Sequence, residues 1–223
     1  MSTRSLLGFG TNLLAILLGL AISAHAGPPL ICHVIEIENA RSLPWIDWNT
    51  KHSAGYDTKN LTRDSLAILN WNTPVLVRME TLRRATLYAR VDQRAAKELL
   101  TRLFAREASS QADRHAEALA WFDLGYLASA YKQWIPQDTP NPAIGVDGYG
   151  WVRKAIALDD DPEMEFAAAL MTLSVAKTDH LDHVMKALAG AKNDPLLARN
   201  LTLISRYDDL TAADHRAARG VNK

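Results

Sequence analysis

The sequence predicts an all-α protein built of stacked antiparallel helical hairpins, solenoid-like, behind an irregular N-terminal arm with at most one short strand. Three observations point there. From Leu61 onward apolar residues recur at close to a 3.6-residue period. Thr73-Pro74, Asp161-Pro162 and Asp194-Pro195 each place a capping side chain before a proline, a helix-start signal. Two phrases also recur at nearly fixed spacing: Lys154-Ala155-Ile156-Ala157 with Lys186-Ala187-Leu188-Ala189, and the two Asp-Pro pairs, 32 and 33 residues apart. A helix–turn–helix period of that length is a mark of α-solenoids, in which a hairpin buries its apolar face only by stacking on the next.

In chain order, Leu30–Ile37 is β-branched and apolar and suggests one short extended stretch. Turn formers and large rings (Trp45, Trp48, Tyr56) then mix without period, and an arm lying across the helices would bury them. Leu61, Leu66 and Leu69 suggest a short helix ending near Asn70. The next carries Val75, Leu76, Met79, Leu82, Leu87 and Tyr88. Asp92 begins another, with Ala95, Ala96, Leu99, Leu100, Leu103 and Phe104 on one stripe. Ala112–Trp134 reads as a long apolar helix. Pro136, Pro140, Pro142 and Gly145 make Ile135–Asp147 a loop. Helices are expected at Gly148–Leu158, Pro162–Lys177, Leu181–Ala189 and Pro195–Tyr207.

Trp121-x-x-Leu124-Gly125 followed by Ala128 resembles the first helix of a tetratricopeptide repeat, and Arg153–Asp159 resembles the end of its second. Trp151-Val152-Arg153-Lys154-Ala155 is equally similar to Sel1-like repeats. The resemblance covers about 113–205, and the 135–147 loop departs from it by being longer than a standard unit allows. It implies a right-handed helical superstructure whose concave face binds peptides or proteins, and it implies no catalysis.

Composition and the N-terminus narrow the function classes. With 48% hydrophobic and 22% charged residues the chain is ordinary globular material. Its 25 basic and 25 acidic side chains give no overall attraction to nucleic acid or anionic lipid. Met1–Arg4 is a short positive start, Leu13–Ile22 an apolar run about half the roughly 20 residues a membrane span needs, and Ala24-His25-Ala26 a small-x-small cleavage site. That is the pattern of a cleaved secretory signal, which predicts an extracytoplasmic protein, periplasmic or secreted, with no membrane attachment after cleavage. The expected organisation is signal 1–26, arm 27–60, helical-repeat domain 61–213 and a frayed end 214–223.

Three residue groups could carry a site. Cys32, the sole cysteine, stands beside His33, and a thiol near an imidazole can become a thiolate nucleophile or a soft-metal ligand. Neighbours on an extended segment point to opposite faces, however, so the pair would need a turn, or His52 from the same arm. His180 and His183 stand at i, i+3 beside Asp179 and Asp182, a spacing that can chelate a transition metal if a third ligand arrives from elsewhere. The other reading has Thr178 or Asp179 capping a solvated first turn. Lastly, residues 78–107 hold eight cations against four anions. Arg83, Arg84, Arg90 and Arg94 are the expected partner-binding positions on that basic face, unless the charges pair internally. Only Tyr88 and Phe104 fall among these cations, with no regular aromatic interleaving for base stacking, which argues against nucleic acid.

No Gly-x-Ser-x-Gly elbow, phosphate-binding glycine loop or His-Glu-x-x-His is present. Asn60-Leu61-Thr62 and Asn200-Leu201-Thr202 match the glycosylation sequon but fall in expected helices. The sequence therefore favours a helical-repeat binding or scaffold protein for a protein or peptide partner, with no cofactor beyond a possible transition metal. The alternative is a thiol- or metal-dependent protein centred on Cys32 and His33.

Overall fold

The computed structural model describes residues 28–45, 55–110, 112–136, 138–173, 177–202 and 204. The expected signal segment, Trp48, His52 and the 214–223 end lie outside these residues. Among the described residues the chain is all-helical, without strand. The helices are α1 (Pro29–Cys32), α2 (Leu61–Ile68), α3 (Val75–Ala89), α4 (Gln93–Ser110), α5 (Arg114–Trp134), α6 (Gly148–Leu158), α7 (Pro162–Thr172) and α8 (Lys177–Gly190). Residues 195–202 form a further helix, α9.

Aspartates start most of these helices. Asp92 accepts from the Ala95 amide, Asp113 from Ala116, Asp147 from Gly150, Asp161 from Glu163, and Asp194 from Leu196 and Leu197. Each satisfies amides that a helix start leaves without an internal partner. The repeated Asp-Pro pairs are thus two uses of one capping device, and α7 opens with its proline in the first turn.

Helix contacts run in opposite directions along neighbouring pairs. Tyr131 and Asp123 of α5 meet Ala96 and Arg106 of α4. On its other side α5 lies against α6: Trp121 meets Trp151, and Arg114 donates to the Leu158 carbonyl. This contact is close enough to require glycine. A Cβ on Gly125 would meet the Gly148 carbonyl oxygen at 2.5 Å and a Val152 methyl at 2.9 Å. The α7/α8 pair shows the same opposed order, with Glu165 beside Lys186 and Thr172 beside His180.

Over Leu30–Ile37, where one short extended stretch was expected, the arm opens with the helical turn α1. It forms no strand among the described residues, within the expected limit of at most one. Pro28 and Pro29 preset the first turn of α1, His33 ends it in extended backbone, and residues 34–37 belong to no helix or strand. Buried backbone groups still need partners. Side chains supply them: Leu30 N donates to Gln133 Oε1, Ile35 N to Glu80 Oε2 and Glu36 N to Asn200 Oδ1. Leu30, Ile31, Ile35, Ile37 and Leu43 are buried against the helices. One segment thereby joins α5, α3 and α9.

Every residue of α3 except Arg84 is buried, including Arg78, Glu80 and Arg83. Both Glu80 carboxylate oxygens receive Arg83, Nε at 2.7 Å and Nη2 at 2.8 Å, while Arg84 Nε adds a 2.7 Å bond. Arg83 Nη1 goes on to the Ile31 carbonyl, Arg84 Nη1 to that of Leu43, and the Tyr88 hydroxyl to that of Pro44. These α3 side chains hold the arm by its carbonyls.

Removing one member of a fully buried ion pair strands the other, which costs about 3–5 kcal/mol. Arg83→Ala should lose that much in urea denaturation. Arg84→Ala, at a side chain 19% exposed and with Arg83 still on Glu80, should lose about 1 kcal/mol. Equal losses would contradict the assignment of the larger share of the buried pairing to Arg83.

Candidate interaction surface

The arginine-rich stretch divides between the interior and the surface. Arg83 is completely buried against Glu80 and the arm, and Arg84 is largely so, which corrects their expected place on an exposed basic face. The physical reason is the charge already inside: Glu80 cannot be buried without cations beside it. Arg78 is likewise internal, pairing with Asp123 at 2.7 Å and bonding the Thr73 and Asn70 carbonyls. Burial raises the pKa of Asp123 even against the two arginines beside it, Arg78 and Arg106. Arg90 is exposed at the end of α3 and lies over the Trp134 ring at 4.4 Å. Of the four expected positions only Arg94 lines one of the three clefts described here.

That groove, about 580 Å³, runs between the outer face of α4 and the 135–147 loop. From α4 come Gln93, Arg94, Lys97, Leu100, Thr101 and Phe104; from the loop, Pro140, Asn141, Pro142 and Ile144. The α4 residues form one stripe because their spacing follows the helical period. Its charged lining residues, Arg94 and Lys97, are both basic. Ile144 is 69% and Phe104 39% exposed, unusual for large apolar side chains. Behind Phe104 stands an aromatic row, Trp151 edge-on at 5.3 Å and Trp121 beyond it at 5.6 Å, with Lys154 over Trp121. Trp, Phe and Arg grouped at a surface are the residues enriched in protein interfaces.

The loop wall is held in place. Asn141 donates through Nδ2 to the Tyr131 carbonyl and accepts from the Ala143 amide, both at 2.9 Å. Ala143 is fully buried, and the Lys132 ammonium donates to the Val146 carbonyl. Sequence reasoning identified the loop and counted Lys97, but placed Phe104 on the core stripe. Phe104 follows Leu103 and sits at the edge of that stripe, a position the helical period alone leaves undecided between core and surface.

The remaining candidates serve other ends. Cys32 is exposed, and His33 bonds the Pro29 carbonyl through Nδ1 at 2.9 Å. Burial raises the Cys32 thiol above its ordinary pKa, with Arg83 only partly offsetting it, opposite to the shift a reactive thiolate needs. His180 and His183 are buried against α7 and do not form a solvated first turn. His180 Nδ1 lies 3.0 Å from the Ala169 carbonyl, whereas His183 joins Tyr149, at 2.8 Å, to Glu165. Burial raises Glu165, but its bonds from His183 and Lys186 outweigh this and leave its pKa below the ordinary value. The chain of bonds ties α6, α7 and α8 together, and none of the three clefts described here is lined by Tyr149, His183 or Glu165. Among the described residues no group of His, Cys, Asp and Glu is arranged to hold a metal.

A second cleft of about 620 Å³ is acidic, lined by Asp159, Asp160, Asp161, Glu163 and Asp194 with Trp71 and His115. Most of its acids are already engaged. Asp161 and Asp194 cap helices, Asp159 meets His115 at 2.6 Å, and Glu163 accepts the Leu76 amide at the start of α3. A third cleft of about 480 Å³ lies between α2 and α4, beside Trp71 and Arg106. The groove at α4 and the third cleft, with Arg102 and Arg106, both present lining cations without lining acids, and the groove adds the exposed Phe104 and Ile144.

In comparisons with protein-family models, curated proteins and solved structures, nothing matches this chain.

Burial raises the Glu163 pKa to about 7, and neighbouring Asp161 and Asp194 add to the shift. A carboxyl that is more basic folded than unfolded contributes full stability below its unfolded pKa and loses it as pH rises toward 7. Glu163→Gln removes the charge, so its thermal midpoint should exceed the parent's at pH 8 and converge with it near pH 5. A constant offset between those pH values would contradict the assignment.

Proposed function

We propose that this chain is an extracytoplasmic helical scaffold that binds a protein or peptide partner in the groove between α4 and the 135–147 loop. The observation that carries the reading is the groove itself, where Arg94 and Lys97 stand without lining acids beside the exposed Phe104 and Ile144. Interfaces draw affinity from such apolar anchors and gain steering and selectivity from the charges around them. The wall is prearranged by the Asn141 bonds, which reduces the ordering cost of binding.

The extracytoplasmic placement rests on the 1–26 segment, with its apolar run and small-residue cleavage site. Among the described residues no helix is long and apolar enough to cross a membrane. The solenoid reading rests on the recurring Asp-Pro starts, on the opposed α5/α6 and α7/α8 pairs, and on Gly125 at the α5/α6 contact. On this reading the 135–147 insertion supplies a wall that a regular repeat lacks.

Selection from a random peptide-display library on the immobilised protein tests the proposal. Enriched peptides should lose at least tenfold in affinity, about 1.4 kcal/mol, against a Lys97→Glu/Ile144→Ser variant. Both positions are exposed, so the variant's thermal midpoint should match the parent's. No enrichment, or peptides indifferent to the double change, would refute it.

A further inference from the structure

The groove is polar along its length. Arg94 and Lys97 lie toward the N-terminal end of α4, and Phe104, backed by the Trp151 edge, lies toward the other. At a rise of about 1.5 Å per residue, Arg94 is about 15 Å and Lys97 about 10 Å from Phe104 along the helix. Leu100 and Thr101 line the floor between them, while Pro140, Asn141, Pro142 and Ile144 form the facing wall. Asp92, the nearest acid before the helix, is held by the Thr58 hydroxyl and the Ala95 amide and is not part of the lining.

An extended peptide rises about 3.3 Å per residue and returns to the same face every second position. Residues four apart therefore share a face and stand about 13 Å apart, between the two cation-to-Phe104 separations. Resting on the binding reading above, we infer that the groove takes an extended peptide carrying a carboxylate side chain and a bulky apolar side chain four residues apart. The carboxylate meets Arg94 and Lys97, and the apolar side chain packs on Phe104 and Ile144. Arginine suits this role because its fork can hold both carboxylate oxygens. A nucleic acid is the poorer occupant. Its phosphates repeat along the whole strand, and this groove offers cations at one end and apolar surface at the other.

Fluorescence anisotropy with labelled synthetic peptides tests the inference on the parent protein. The first peptide carries Glu and Phe four positions apart on a Ser/Gly background. Comparison peptides carry Lys for Glu, or Glu and Phe adjacent, and a labelled oligothymidine is the nucleic-acid control. The first should bind saturably, weaken as salt rises, and bind at least tenfold more tightly than each comparison. It should lose at least tenfold against Arg94→Glu/Lys97→Glu and against Ile144→Ser, neither of which removes a buried side chain. Equal binding of all peptides, or tighter binding of oligothymidine, overturns the inference. If the first peptide fails while library peptides still require Lys97 and Ile144, the inference falls and the binding function stands. If the library also yields nothing, both fall.

Discussion

The structure depends on charge enclosed within α3. A helix buried on nearly every side carries Arg78, Glu80 and Arg83 with no exposed surface, and charges withdrawn from water must find partners of opposite sign or polar groups in their place. Glu80 pairs with Arg83 and Arg84 within the helix, and the remaining partners belong to other parts of the chain. Arg78 fixes α5 through Asp123 and the turn before α3 through the Asn70 and Thr73 carbonyls. Arg83, with Arg84 and Glu80, takes up the carbonyls of Ile31 and Leu43 and the amide of Ile35. Irregular chain is thereby bound to a helix through its backbone groups without a neighbouring strand. A shifted arm would leave several of these groups unpaired at once, so the charged interior favours one placement.

The same constraint decides which cations remain at the surface. The α3 arginines turn inward or, at Arg90, onto an aromatic ring, and basic side chains on the outer face of α4 are left along a groove. The groove exists because the chain inserts a proline-rich loop between α5 and α6. Asn141 and Ala143 moor the loop, and Ile144 stands out from it. Stability and, on the proposed reading, recognition thus draw on neighbouring segments of one basic stretch.

Much of the fold was legible from local signals. Gly148–Leu158 was read at the bounds observed and the α4 start came from Asp92, because capping acts within a few residues. α3 does begin after Thr73-Pro74, but Pro74 takes the cap position and the Thr73 hydroxyl donates to the Ile68 carbonyl instead of capping. The arm was not legible, since β-branched residues at Leu30–Ile37 favour extended chain while the Pro28-Pro29 start and the Glu80 carboxylate, 45 positions from Ile35, decide its local structure. The candidate site was legible in part. Counting eight cations against four anions located the stretch, but a count cannot distinguish Arg83, matched by a buried glutamate, from Lys97, which faces solvent. His180 and His183 share a face as their spacing requires, yet that face meets Ala169 and Glu165 of α7.

Amide hydrogen exchange on the intact protein tests the enclosed-charge account most directly. If α3 holds the arm through Glu80, Arg83 and Arg84, the amides of Ile35 and Glu36 should exchange as slowly as those of α3, by global unfolding. Exposed amides of the 139–146 loop should exchange far faster. Rapid exchange at Ile35 and Glu36 while α3 stays protected would mean that the arm opens independently, and would contradict the account.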